Sequence, residues 1–221
     1  MQLTNAPTDE QFPAIQNALQ KERLDRYLPA AGQNYEVAFK YYVWNCDLCE
    51  SFYLSLHFAE VVCRNALHRA LLNRCGDNWY SHKLLHTILD DDFAKELTNV
   101  CRTEGWQHGA NMTSHHVVSS LTFAFWEHLA TKRFERFIWA KGLRAVFPCA
   151  PKDKTYEDLR LLVESVRRWR NRIAHHRAIF DKGPTKKHQD ALDLIKWACE
   201  HTGQWVASSS TVPRSLTKRP K

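Results

Sequence analysis

The chain has 221 residues, with 31 Lys+Arg against 24 Asp+Glu for a net charge of +7, and only 7 Gly. Such scarcity of glycine excludes a turn-rich β-sandwich, a collagen-like chain and a Gly-loop nucleotide binder, and 44% apolar residues with eight Trp exclude disorder for the body of the chain. The eight prolines fall at 7, 13, 29, 148, 151, 184, 213 and 220, so none interrupts residues 30–147 and long helices can run there.

Thr8 can cap a first amphipathic helix whose Ile15, Leu19, Leu24 and Leu28 share one face, and Pro29 to Gly32 stop it. A long helix-compatible run follows from Tyr35 to Cys75, broken once near Cys46–Ser51 and closed by Gly76. Trp79 to Cys101 predicts one or two short helices jointed near His86–Asp92, and Gly105–Met112 reads as a loop. The pattern then predicts a helix over Ser114–Phe134, bending into Trp139–Phe147, until Pro148 and Pro151 end it. Thr155 and Asp158 have the spacing of a capping box, which opens a helix expected to reach Arg177. A last helix is expected over Lys186–Thr202. Strand signals are scarce and no period of 20–50 residues is present, so the expected fold is all-α. It is divided into one helical domain over 1–207 and a basic, disordered tail over 208–221.

Charge is unevenly spread. Arg214, Lys218, Arg219 and Lys221 supply four of the seven excess positive charges, so net charge is a poor guide to partners. A local excess is more informative: Arg160, Arg167, Arg168, Arg170, Arg172 and Arg177 face Glu164 alone between positions 160 and 177. Seven cysteines cannot all pair, and several sit in apolar helical segments where a free thiol behaves as a small hydrophobe. The N-terminus MQLTNAPTDEQ has no basic region followed by an apolar run. The longest useful uncharged run, Val117 to Trp126, is about half of what a bilayer needs. A reduced, cytoplasmic protein without membrane spans is expected.

The helix opened by Thr155 carries the most chemistry. Leu159, Leu162, Val163, Val166, Trp169 and Ile173 form its apolar stripe, and Arg170 projects inside it, where a guanidinium needs a partner or a polar cleft. It reads either as a structural arginine or as a phosphate clamp. Asn171 and His175 are i,i+4 neighbours and share a face, with His176 beside them. Imidazole suits general acid–base work, and two adjacent helical histidines point too far apart to chelate a metal together. Glu60, Arg64 and His68 form a second i,i+4 series, next to Asn65. They read as a buried ion pair fixing helix register, with Glu60 also able to reach Arg170. Cys46 and Cys49 read as core, as do Phe123, Phe125, Trp126, Phe134, Phe137 and Trp139. Tyr41, Tyr42, Trp44 and Asn45 are taken for helix packing ahead of the alternative, an aromatic platform on which bases stack. Walker, GxGxxG and HExxH signatures are absent.

At Arg170-Asn-Arg-Ile-Ala-His-His176 the chain resembles the Abi-like (abortive infection) family of the HEPN superfamily. Further blocks resemble it in the same order: Tyr42-Val-Trp-Asn45, Glu60-Val-Val-Cys-Arg-Asn65, Gly76-Asp-Asn-Trp-Tyr80 and Leu121-Thr-Phe-Ala-Phe-Trp126, followed by Trp139 and Phe147-Pro148. Together they span residues 20–200. The resemblance implies a HEPN-like helical bundle with additional N-terminal helices, usually a homodimer, with the R-x4–6-H motif at or near the dimer cleft. It implies phage defence or toxin–antitoxin activity through metal-independent, cofactor-free RNA cleavage that leaves a 2′,3′-cyclic phosphate. Arg170, Asn171 and either His175 or His176 would be catalytic. Arg167, Arg168, Arg172 and Arg177 would contact RNA, and Glu60, Arg64 and Asn65 would support the site. A non-catalytic protein that uses the same cleft to bind structured RNA is the alternative, and an antitoxin is a further possible partner. Two positions depart from the family pattern. Arg177 stands where similar proteins often have Glu, and Ala124 where they have Gly. Arg177 also occupies the position of the Tyr that is nucleotidylated in some HEPN toxins, leaving that modification no acceptor.

Overall fold

A computed structural model describes residues 7–220. The first six residues, part of the N-terminal segment read above for a leader, and Lys221 lie outside the described residues.

Among the described residues the chain is all-α and no strand is present. In chain order the helices are α1 (Gln11–Leu19), α2 (Lys21–Asp25), α3 (Tyr35–Ser51), α4 (Tyr53–Cys75), α5 (Lys83–Ile88) and α6 (Asp91–His108). They continue with α7 (Ser114–Ser120), α8 (Phe123–His128), α9 (Tyr156–Ala174), α10 (Pro184–Ala198), α11 (Glu200–Ser209) and α12 (Val212–Leu216), with short 3-10 turns between several of them.

Several boundaries follow from side chains that compete with the backbone. The first predicted helix is two: Thr8 and Gln11 do exchange capping hydrogen bonds, but Gln20 at φ 63° breaks the run. The break in the long run from Tyr35 falls at Phe52, where the Ser51 and Ser55 hydroxyls donate back to the carbonyls of Leu48 and Phe52. Gly105–Met112 is a loop only in its second half, because α6 continues through Gly105 to His108 before a short 3-10 turn. The helix expected over Ser114–Phe134 is replaced by α7, α8 and tight turns. Thr122 accepts from the Phe125 N–H and starts a new helix where the apolar pattern alone ran on. The last helix is likewise interrupted at Cys199, whose φ of −157° is extended.

One apolar core runs through α4, α8, α9 and α10, with Phe52, Trp79, Phe125, Trp126, Phe134 and Phe147 fully enclosed. The aromatic residues predicted as core, from Phe123 to Trp139, are all buried. α10 lies across both α4 and α9 and holds the two together. A smaller cluster of Tyr27, Ala38, Tyr41, Trp44 and Ala178 packs α3 against the chain that leaves α9.

The C-terminal segment is not a disordered tail. Val212 is fully buried, the Trp44 indole N–H donates to the Ser215 carbonyl at 2.8 Å, and Lys218 lies 3.4 Å from Asp47. Arg219 sits over the Tyr41 ring. Two of the basic residues counted as solvated charge, Lys218 and Arg219, are thus paired with or stacked on α3, and the burial of Val212 offsets the entropy of ordering the strap.

Candidate active site

Helix α9 carries the heptapeptide from Arg170 to Ala174, and both of its ends are fixed locally. At its start Thr155 Oγ1 accepts from the Asp158 N–H and Asp158 Oδ2 accepts from the Thr155 N–H, the predicted capping box. At its end the helix stops at Ala174, three residues before the expected Arg177. His176 turns left-handed at φ 53° while its N–H donates to the Ile173 carbonyl and the Arg177 N–H to that of Arg172. That is a Schellman motif with histidine in the position usually held by glycine. The motif's two histidines are therefore a C-cap and a left-handed turn residue, not successive helical positions.

Asn45 secures the chain beyond that turn. It is 4% exposed, and its Oδ1 accepts from the N–H groups of Ile179 at 2.7 Å and Phe180 at 3.3 Å. Arg172 Nε donates to the Ala178 carbonyl at 2.8 Å, and Arg26 pairs with Asp181. The sequence placed Asn45 among packing aromatics. It missed that an amide on α3 caps the backbone leaving the motif, because the pairing spans 134 positions.

The candidates separate into two groups on either side of α9. On the side facing α4, Arg170 Nε lies 3.4 Å from Glu60 Oε2, and Arg64 Nη1 lies 3.9 Å from Glu60 Oε1. Arg170 is not buried in the stripe. Its side chain is 48% exposed, because a long stem carries the guanidinium to the edge of the core, where Glu60 holds it. Glu60 and Arg64 are mostly enclosed, at 17% and 19% exposure, and Arg64 Nε has no partner among the described residues. Asn65 is exposed on the same helix.

On the other side lies a cleft of about 440 Å³ between α9 and the start of α10. Asn171 and His175 line it, together with Arg168, Arg172, Arg177, Lys182 and Lys187, and no carboxylate does. Asn171 connects the two groups, since its Oδ1 accepts from Arg170 Nη1 at 3.2 Å. His175 is exposed, and its ring makes no hydrogen bond or ion pair among the described residues. Arg177 is likewise exposed and unpaired among them. Arg168 pairs with Glu164 at 2.5 Å, and Lys187 Nζ donates to Ser165 Oγ at 2.7 Å, which in turn donates to the buried Asp190. Trp169 forms part of the floor, and its buried Nε1–H meets no acceptor among the described residues.

Arg167 is not in this cleft. It pairs with Glu127 on α8 and ties α9 to the core. His176 does not line the cleft either. Lys182 and Lys187 were not among the sequence candidates. They lie outside the heptapeptide, and only the turn between α9 and α10 brings them to it.

The arrangement suits a phosphodiester. A carboxylate-free cavity with several guanidinium and ammonium groups attracts an anion, and an unpaired imidazole beside a carboxamide can move a proton while the amide binds an oxygen. Against family models, curated proteins and solved structures, the chain has no match.

Proposed function

We propose that the protein is a HEPN-type, metal-independent endoribonuclease of the Abi-like kind, acting as a homodimer in antiphage or toxin–antitoxin defence. One observation carries this reading: His175, unpaired among the described residues, opens together with Asn171 into a cleft lined by cations and no carboxylate. In the reaction the ribose 2′-oxygen attacks the adjacent phosphorus and the 5′-oxygen of the next nucleotide leaves. The products are a 2′,3′-cyclic phosphate and a 5′-hydroxyl. His175 takes the 2′ proton or returns one to the leaving oxygen. The Asn171 amide donates to a non-bridging oxygen, and Arg172 and Arg177 offset the charge that grows on the phosphorane. Arg170, anchored by Glu60, orients Asn171. Each copy brings one imidazole to its cleft, so two copies meeting there would supply both the base and the acid.

The test is incubation of the purified protein with RNA in excess chelator, followed by mapping of the ends. His175→Ala is expected to lower the rate at least a hundredfold, and the new ends should be cyclic phosphates. Equal cleavage by wild type and His175→Ala, or 3′-hydroxyl ends, would overturn it. The Glu60–Arg170 pair favours a second reading, RNA binding without cleavage, because it holds that guanidinium outside the cleft. Tight, salt-dependent binding with intact RNA would support this alternative.

A further inference from the structure

The cleft holds more positive charge than one diester phosphate needs. Beside His175 and Asn171, Arg172 and Arg177 have no carboxylate partner among the described residues, and either could meet the scissile phosphate. Lys182 and Lys187 add two ammonium groups from outside α9. They bracket the start of α10, where Gly183 offers no side-chain cap to the helix.

Both lysines are held in position. Lys182 lies 3.6 Å from Asp181, which is itself fixed by Arg26. Lys187 donates to Ser165 and lies 3.7 Å from Asp190 Oδ2. Ser165 and Asp190 therefore pre-orient the ammonium, which keeps further donors for a ligand. Lys186 is different. It pairs with the other Asp190 oxygen at 2.8 Å, is 73% exposed, and does not line the cleft.

We infer that Lys182 and Lys187 form a second phosphate position in this cleft, so that the ligand is a single strand contacted at two successive phosphates. The inference rests on the RNA reading of the same cleft and adds to it a subsite and the residues that make it. The cleft volume lies toward the lower end of the roughly 300–1,000 Å³ of ordinary ligand sites, which favours one strand over a duplex.

The test uses the full chain and two uncleavable 2′-O-methyl probes, a dinucleotide with one phosphate and a trinucleotide with two. Affinity is measured across a salt series. Wild type should bind the trinucleotide roughly tenfold more tightly, as one added charge-assisted contact predicts. Its log–log salt slope should steepen by about 0.7, the value for one more phosphate on a single strand. Lys182→Ala and Lys187→Ala should each remove most of that increment while dinucleotide binding changes little. Lys186→Ala, which deletes an equal charge from the same turn, should keep the increment. Circular dichroism checks that the variants are folded, and Lys182, at 49% exposure, is the less intrusive of the two. The inference is overturned if the increment survives in both cleft variants, or if Lys186→Ala reduces it as much. If wild type binds neither probe and leaves RNA uncut, both the RNA reading and this one fall. Cleavage of RNA with an increment indifferent to Lys182 and Lys187 overturns the second position alone.

Discussion

At His176 the backbone holds a side-chain-bearing residue at φ 53°, where Cβ crowds the following carbonyl. Its imidazole makes no hydrogen bond or ion pair among the described residues, so nothing there offsets the strain. His176→Gly is therefore expected to stabilise the fold by about 1 kcal/mol, read as a higher urea midpoint with an unchanged slope. A lower midpoint would show that the imidazole makes a stabilising contact. Under the proposed RNA-cleaving function the same substitution separates the two histidines: cleavage should persist in His176→Gly and fail in His175→Ala. From the sequence the pair looked equivalent. Only the Schellman turn sends one ring into the cleft and leaves the other outside its lining, and a helical projection has no means of anticipating a change in backbone handedness.

The α10–α11 joint shows at the scale of the element how closely the supporting helices are fitted. Cys199 is extended, and α11 folds back so tightly that a Cβ on Gly203 would lie 2.2 Å from Lys196 Cγ and 3.0 Å from its Cα. The side chain can move aside, whereas the backbone of α10 cannot without disturbing its packing on α4 and α9. Gly203→Ala is expected to cost about 1–3 kcal/mol in chemical denaturation. A neutral result would mean that α11 is free to shift. α9 itself was the most legible element, from its capping box to its stripe: Leu159, Val163, Val166 and Trp169 are buried as the periodicity requires. The region from 114 to 147 was the least legible. There apolar spacing continued across Leu121–Thr122 and the turns around Thr131 and Gly142, and neither the capping Thr122 hydroxyl nor the turns carry a hydrophobic signal.

Across the whole molecule, burial sets a dependence on pH. Desolvation lowers the pKa of His68, His128 and His188 from the usual value of 6.5. For His68 the charges of His115 and Arg69 act in the same direction, whereas for His128 Asp90 opposes the shift. His188 also meets the Ser210 hydroxyl at 2.9 Å and the edge of Phe52. A depressed folded-state pKa means that the unfolded chain binds more protons in this range. The stability these residues contribute is then fully present above pH 6.5 and is lost as pH falls through their folded values. The urea midpoint should accordingly drop between about pH 7.5 and pH 5.5, where ordinary carboxylates hardly titrate. A midpoint that is flat or rises would contradict this. No helix among the described residues is long and apolar enough to cross a membrane.

The amino-acid sequence by itself determined that the chain is helical, which aromatic residues form its core, and where α9 begins. These properties depend on local propensity, capping and spacing along one segment. It also singled out the Glu60–Arg170 pairing as an option that the structure realises. Only the tertiary structure decided which charges share a cavity. It moved Arg167 to Glu127, drew Lys182 and Lys187 to His175, put Asn45 beneath the exit of the motif and strapped the basic C-terminal segment over α3. Each of these is a contact between residues distant in sequence, fixed by how α3, α4, α9 and α10 pack, and periodicity along a single helix does not encode it.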